Sequence, residues 1–148
     1  MPFSRWREPG DNLHSSLTVR AHLITIGSAA LVATGTAILP GPFPVLAWSV
    51  SATFGLAAGV AQAATFHAVP EQFATADTAV DVRRVLMSTQ AGRAAVLAQW
   101  ILMATLIALA LSGTTTIAGA LGGYAVFVGV RDVVSLKAVA DLSLDRPS

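Results

Sequence analysis

GLAAGVAQAATFH, from Gly55 to His67, decides how the rest of the chain is read. Its glycines admit two physical readings: a loop whose amides cradle phosphate, or a helix whose small side chains let another helix come close. A phosphate cradle needs its glycines in a strand-to-helix turn, and neither G-x-x-x-x-G-K-[ST] nor G-x-G-x-x-G occurs anywhere in the sequence. Ser51, Gly55, Gly59 and Ala63 instead recur every four residues, so a helix would carry them along one face as a shallow groove. The helix reading is adopted.

The composition agrees with it. The chain has 148 residues, 54% of them apolar and only 11% charged, against about 25% charged in soluble domains. That imbalance points to lipid as the solvent. A net charge of +1, with its cations in three separated groups, gives no stripe for a nucleic-acid backbone, so no nucleic-acid partner is expected. The absence of cysteine excludes disulfides, thiolate metal sites and iron-sulfur clusters.

Outward from the opening stretch, the sequence predicts an all-α integral membrane protein in a single domain over 1–148. Four transmembrane helices are expected near 21–39, 45–66, 94–111 and 115–134, each close to the ~20 residues that cross ~30 Å of hydrocarbon. Pro40, Pro42 and Pro44 break the chain after the first, and Ser112-Gly113 followed by Thr114, Thr115 and Thr116 supplies a C-cap and then N-caps before the last. Both links are short, which predicts two helical hairpins. Small residues at Gly35-Thr36-Ala37 raise the alternative of a cleaved signal peptide, but the polar lead and the apolar run are both long for one, so a retained helix is expected.

Every cation falls on one side of this layout. Arg5, Arg7 and Arg20 precede the first span, Arg83, Arg84 and Arg93 lie in the loop 67–93, and Arg131, Lys137 and Arg146 close the chain. The positive-inside tendency then makes the loop and both tails, 1–20 and 135–148, cytoplasmic. An Arg-rich, Ala-rich chain of this kind suggests a bacterial cytoplasmic membrane. Phe3 and Trp6 interleave with Arg5 and Arg7 as an interfacial tail would. Within the loop, Asp77 is a candidate N-cap for an amphipathic helix from Thr78 towards Gln90. Asp81 can pair with Arg84, Val82, Val85, Leu86 and Met87 form an apolar face, and Gly92 is the expected interruption.

The small-residue device recurs in the last span with Gly119 and Gly123, and on an adjoining face with Ala118, Gly122, Ala125 and Gly129. Such faces serve packing within a bundle or between subunits. The third span is rich in Leu, Ile and Met and has no internal glycine.

Candidate chemistry is sparse. Counting residues from Arg93 and Arg131 puts Gln62, Gln99 and Tyr124 at one depth below the cytoplasmic face, with His22 and His67 at the mouths of the first two spans. A cytoplasm-facing pocket of His22, Gln62, His67, Gln99, Tyr124, Arg131 and Asp132 could hold a headgroup, a quinone ring or a small anion. The bland alternative is that the amides and the phenol satisfy one another between helices while Arg131 snorkels beside Asp132. His22 and His67 lack the carboxylate partners a metal site needs, and no nucleophile, base and acid are tied together by spacing, so neither metal, cofactor nor catalysis is expected. The expected role is a small multi-pass protein working through helix contacts, as an accessory, assembly or homo-oligomeric subunit with lipid and protein as partners. A small transporter or channel is the alternative.

Overall fold

The structure is a computed structural model that describes residues 13–74 and 79–144, with side chains over 20–72 and 80–140. Six helices follow in order: α1 (Leu13–Ala37), α2 (Val45–Ala68), α3 (Pro70–Ala74), α4 (Ala79–Ser88), α5 (Gln90–Leu111) and α6 (Ile117–Leu144). The described residues contain no strand.

The helix ends follow local chemistry. After α1 the chain enters the proline-rich link, and Pro44 becomes the residue before α2, its carbonyl accepting the Trp48 amide at 3.0 Å. Ser112 closes α5, and Gly113 takes φ +73°, the left-handed conformation that side chains disfavour. The Thr116 hydroxyl then accepts the Gly119 amide at 2.9 Å, opening α6 as the threonine run predicts. Pro70 starts α3, where a missing amide hydrogen costs nothing.

Helices outrun the apolar stretches that announce them. Thr89, extended at φ −111° and ψ 155°, caps α5 by accepting the Gly92 amide at 3.0 Å, so α5 begins at Gln90 and includes Arg93. The break therefore falls at Thr89 and not at Gly92. Gly92 is where α4 and α5 meet, because a side chain there would strike the carbonyl of Leu86. The Asp77 cap and the tail residues Phe3, Arg5, Trp6, Arg7 and Arg146 lie outside the described residues.

Among the described residues three helices, α2, α5 and α6, are long and apolar enough to cross a membrane. The expected first span is not among them. Although α1 has 25 residues, it starts at Leu13 and stops at Ala37, so Ile38 and Leu39 fall in the turn while Arg20 and His22 sit within the helix.

The packing does not follow the hairpins. α6 packs along α2 and α1, and α5 packs mainly on α2, whereas the partners joined by short turns touch far less. On α2, Gly55 meets Phe127 and Gly59 meets Arg131, so an advance of four residues on one helix matches four on the other and the two run parallel. α1 runs antiparallel to α6: Thr36 meets Gly122 and Ala29 meets Gly129. The two short turns thus lie at one end of the bundle, the turn end, and α3 and α4 lie at the other, the loop end.

The α2–α6 seam is a backbone contact. A Cβ at Gly55 would lie 2.7 Å from the Phe127 carbonyl oxygen, and one at Gly59 would lie 2.9 Å from that of Arg131. In each case an α-hydrogen takes that place and points at a carbonyl, a weak attraction that repeats once per turn. Gly119 admits Pro44 and Thr115, Gly122 admits Thr36 and Trp48, and Gly123 faces Ser51, Leu106 and Ala47. Ala63, next in the four-residue series, is only half-buried. A cluster of Ala47, Ala58, Ala95, Leu102, Leu106 and Phe127 fills the centre between α2, α5 and α6. Large apolar side chains stay outside: Leu31 on α1 and Leu111 on α5 are 75% and 84% exposed. Burial of small residues with exposure of large ones reverses the pattern of a water-soluble bundle.

Candidate functional site

The polar interior is organised by α6. Tyr124, Phe127 and Arg131 are spaced three and four residues apart and share one helix face. The Tyr124 and Phe127 rings stack with centroids 5.9 Å apart, and the Arg131 guanidinium lies 5.6 Å from the Phe127 centroid. A cation over an aromatic face is worth about 0.5–2 kcal/mol. At the foot of this stack Gln99 on α5 donates its amide to the Tyr124 hydroxyl at 2.9 Å. At its head Arg131 donates from Nε to Asp132 Oδ1 at 2.8 Å, and Nη2 forms an ion pair with the same oxygen at 2.8 Å. Asp132 is buried while the Arg131 side chain keeps 22% of its surface exposed.

The residues of the expected pocket are therefore joined in two places and separated elsewhere. Gly123 meets Ser51, so Tyr124 is level with Ala52, and Gln62 lies ten residues further along α2, about 15 Å at ~1.5 Å per residue. The expected common depth does not hold, and the reason is the length of α6. Arg131 does not mark the end of that helix, which continues to Leu144. It sits beside Gly59, eight residues and about 12 Å short of His67. His67 is exposed on the last turn of α2. His22 is on α1, which packs on the face of α6 that carries Gly122 and Gly129, away from the α5 side of the bundle. No cluster of three or more metal-ligating side chains occurs among the described residues.

Gln62 is buried and hydrogen-bonds to no other described residue. The buried side-chain atoms left without a hydrogen-bond partner among the described residues are the hydroxyls of Ser51 and Thr115. Other hydroxyls bond to their own helices: Thr25 to Ala21, Thr53 to Ser49 and Thr105 to Ile101, all at 2.9 Å.

At the loop end, sequence reasoning missed a fastening. The buried Thr65 hydroxyl donates to the Ala61 carbonyl at 3.1 Å and lies 2.8 Å from the Thr89 hydroxyl, which also caps α5. Two isolated threonines separated by α3 and α4 give no periodic signal. Phe127 was legible in principle, standing three residues after Tyr124 and four before Arg131. On α4 the apolar face is divided: Val85 is buried, Val82 and Leu86 are half-buried and Met87 is exposed, while Arg84 pairs with Asp81 at 3.3 Å as expected. No family model, curated protein or solved structure matches the chain.

Proposed function

We propose that this chain is a four-span protein of a bacterial cytoplasmic membrane, with both termini cytoplasmic, that works through helix contacts as an accessory, assembly or homo-oligomeric subunit. The observation that carries the reading is the state of α5. Of its 22 residues only Gly92, Ala95, Leu102 and Leu106 are buried. Leu97, Trp100, Ile101, Ile107 and Leu111 stand exposed along its length. The small-residue seams on α2 and α6 are occupied within the chain, which leaves this Leu-, Ile- and Trp-bearing surface for lipid and partner helices.

For α1 as the fourth span the support is its antiparallel course along α6 and its exposed Leu23, Ile24, Leu31 and Val32. The exposed cations Arg20, Arg83, Arg84, Arg93 and Lys137 gather at the loop end, which supports a cytoplasmic placement of that end. The Thr36 and Thr53 hydroxyls near the turn end bond back to their own helices, and those of Ser51 and Thr115 are buried, which weighs against a transporter or channel.

Two measurements test this. In whole cells an impermeant maleimide should label Ser112→Cys and spare Ser88→Cys; the reverse pattern overturns the topology. Mass measurement of the assembly released in mild detergent should find a higher oligomer or a bound partner. A bare monomer would sink the subunit role.

A further inference from the structure

α5 turns its exposed side chains to one face. Gln90, Arg93, Leu97, Trp100, Ile101 and Ala104 stand exposed at spacings of three and four residues, and the stripe keeps that register to Leu111. The buried Gly92, Ala95, Leu102 and Leu106 take the opposite face. The stripe is charged at one end only. Arg93 is the sole charged residue of α5, and Gln90 precedes it by three residues on the same face. From Ala94 to Leu111 every exposed residue is Ala, Leu, Ile or Trp, while Gln99 bonds the Tyr124 hydroxyl and the Thr105 hydroxyl bonds back to Ile101.

The guanidinium at the head of the stripe is open to a ligand. Of its five N–H donors, Nε alone is engaged, by the Thr89 carbonyl at 3.4 Å, and the rest have no partner among the described residues. The ion pairs among those residues are Arg84–Asp81 and Arg131–Asp132, so no carboxylate neutralises Arg93. Arg20, Arg83, Arg84 and Lys137 are exposed at the same end of the bundle, against Glu71 and the paired Asp81. An anion approaching Arg93 therefore meets a field of one dominant sign.

A cation at the head of an apolar stripe matches the two parts of an anionic lipid. Trp100 lies seven residues beyond Arg93, about 10.5 Å, within the ~15 Å that one leaflet contributes to the hydrocarbon. A second copy fits this half of the stripe poorly. Copies inserted in one membrane run in the same direction, so a two-fold contact here sets Arg93 against Arg93.

We infer that the loop-end half of the α5 stripe binds an anionic phospholipid, its phosphate on the Arg93 guanidinium and the Gln90 amide and its acyl chain along Leu97, Trp100 and Ile101. The planar guanidinium matches two phosphate oxygens, and the amide supplies a further donor. A headgroup of net negative charge is preferred to a zwitterionic one, whose ammonium is repelled by the cations of this end. The inference rests on the membrane reading above and leaves the turn-end half of the stripe to the partner helices of that reading.

The test uses the full chain in vesicles of phosphatidylcholine with a minor share of phosphatidylglycerol. Bromine is placed mid-chain on an equal amount of one lipid or the other, and quenching of Trp100 is read as the difference between the parent and Trp100→Phe, which removes the signals of Trp6 and Trp48. Both leaflets carry the same lipids, so the direction of insertion does not matter. Brominated phosphatidylglycerol should associate with Trp100 about fivefold more strongly than brominated phosphatidylcholine, the contribution expected of one arginine at an anionic leaflet. Arg93→Gln, at an exposed position, should fold and abolish that preference. Arg20→Gln, which removes a cation of the same end from α1, should keep it. Equal quenching by the two lipids, a preference that survives Arg93→Gln, or one lost as fully in Arg20→Gln would overturn the site. Quenching by neither lipid would overturn it too, because a second copy or another helix then covers the stripe. A chain that fails to float with the vesicles overturns the membrane reading and the site together, whereas one that floats without the preference overturns the site alone.

Discussion

α6 makes two long contacts, and the same sequence device is put to different physical use in each. Against α2, the missing side chains of Gly55 and Gly59 bring backbone to backbone, with carbonyl oxygens where a Cβ would be. Against α1, a Cβ at Gly129 would meet the Ala29 methyl at 3.4 Å, an ordinary van der Waals distance, and Gly27 and Gly35 of α1 have nothing within 4 Å of that position. The α2 seam needs its glycines along its length, whereas the α1 seam needs one at Gly122, where the Thr36 hydroxyl and Trp48 crowd the position of a Cβ, and merely contains one at Gly129. A four-residue repeat of small residues thus marks where helices are able to approach, while the depth of the approach depends on which neighbour arrives.

The sharpest way to break this contrast is Gly59→Leu, which would drive a branched side chain into the backbone of Arg131. No folded bundle should form, seen as loss of a cooperative unfolding transition and of protease resistance in detergent. A milder pair follows. Gly55→Ala should cost about 1–3 kcal/mol, because the Phe127 carbonyl cannot move without shifting α6. Gly129→Ala should stay within about 0.5 kcal/mol of the parent, an unstrained contact gaining helix propensity. Equal losses for the two in reversible unfolding would erase the distinction between the seams.

The smallest expected effect lies at the loop end. Thr89→Ala removes both the α5 cap and the link to Thr65, and should destabilise by about 1 kcal/mol. Hydrogen exchange should accelerate in the first turn of α5 while the Gly55 and Gly59 region keeps its protection. Uniform acceleration along α2 would mean that the loop end and the glycine seam open as one unit.

The Gln99–Tyr124 hydrogen bond is the outcome the bland reading anticipates, two polar groups completing each other between helices. Its depth was not readable from either residue. Counting inward from Arg131 fails because a charge is an unreliable boundary: paired with Asp132 and set over the Phe127 ring, Arg131 lies well inside α6, which runs on to Leu144. The Thr89 break escaped for a related reason. Its cap is a local hydrogen bond that composition does not announce, whereas the apolar run starting at Ala94 does announce itself, several residues too late.

Helical character, the two short turns and the faces of α2 and α6 able to accept close neighbours were set by the sequence alone, because proline, glycine and four-residue spacing act locally. Which helices pair was decided only in the tertiary structure. α1 leaves its hairpin partner for α6, and α2 lies parallel to α6, because pairing depends on the match between two surfaces far apart in the chain. The same physics sets Gly59 beside Arg131: the register of α2 on α6 brings them level, and neither residue's own surroundings in the sequence contain that register.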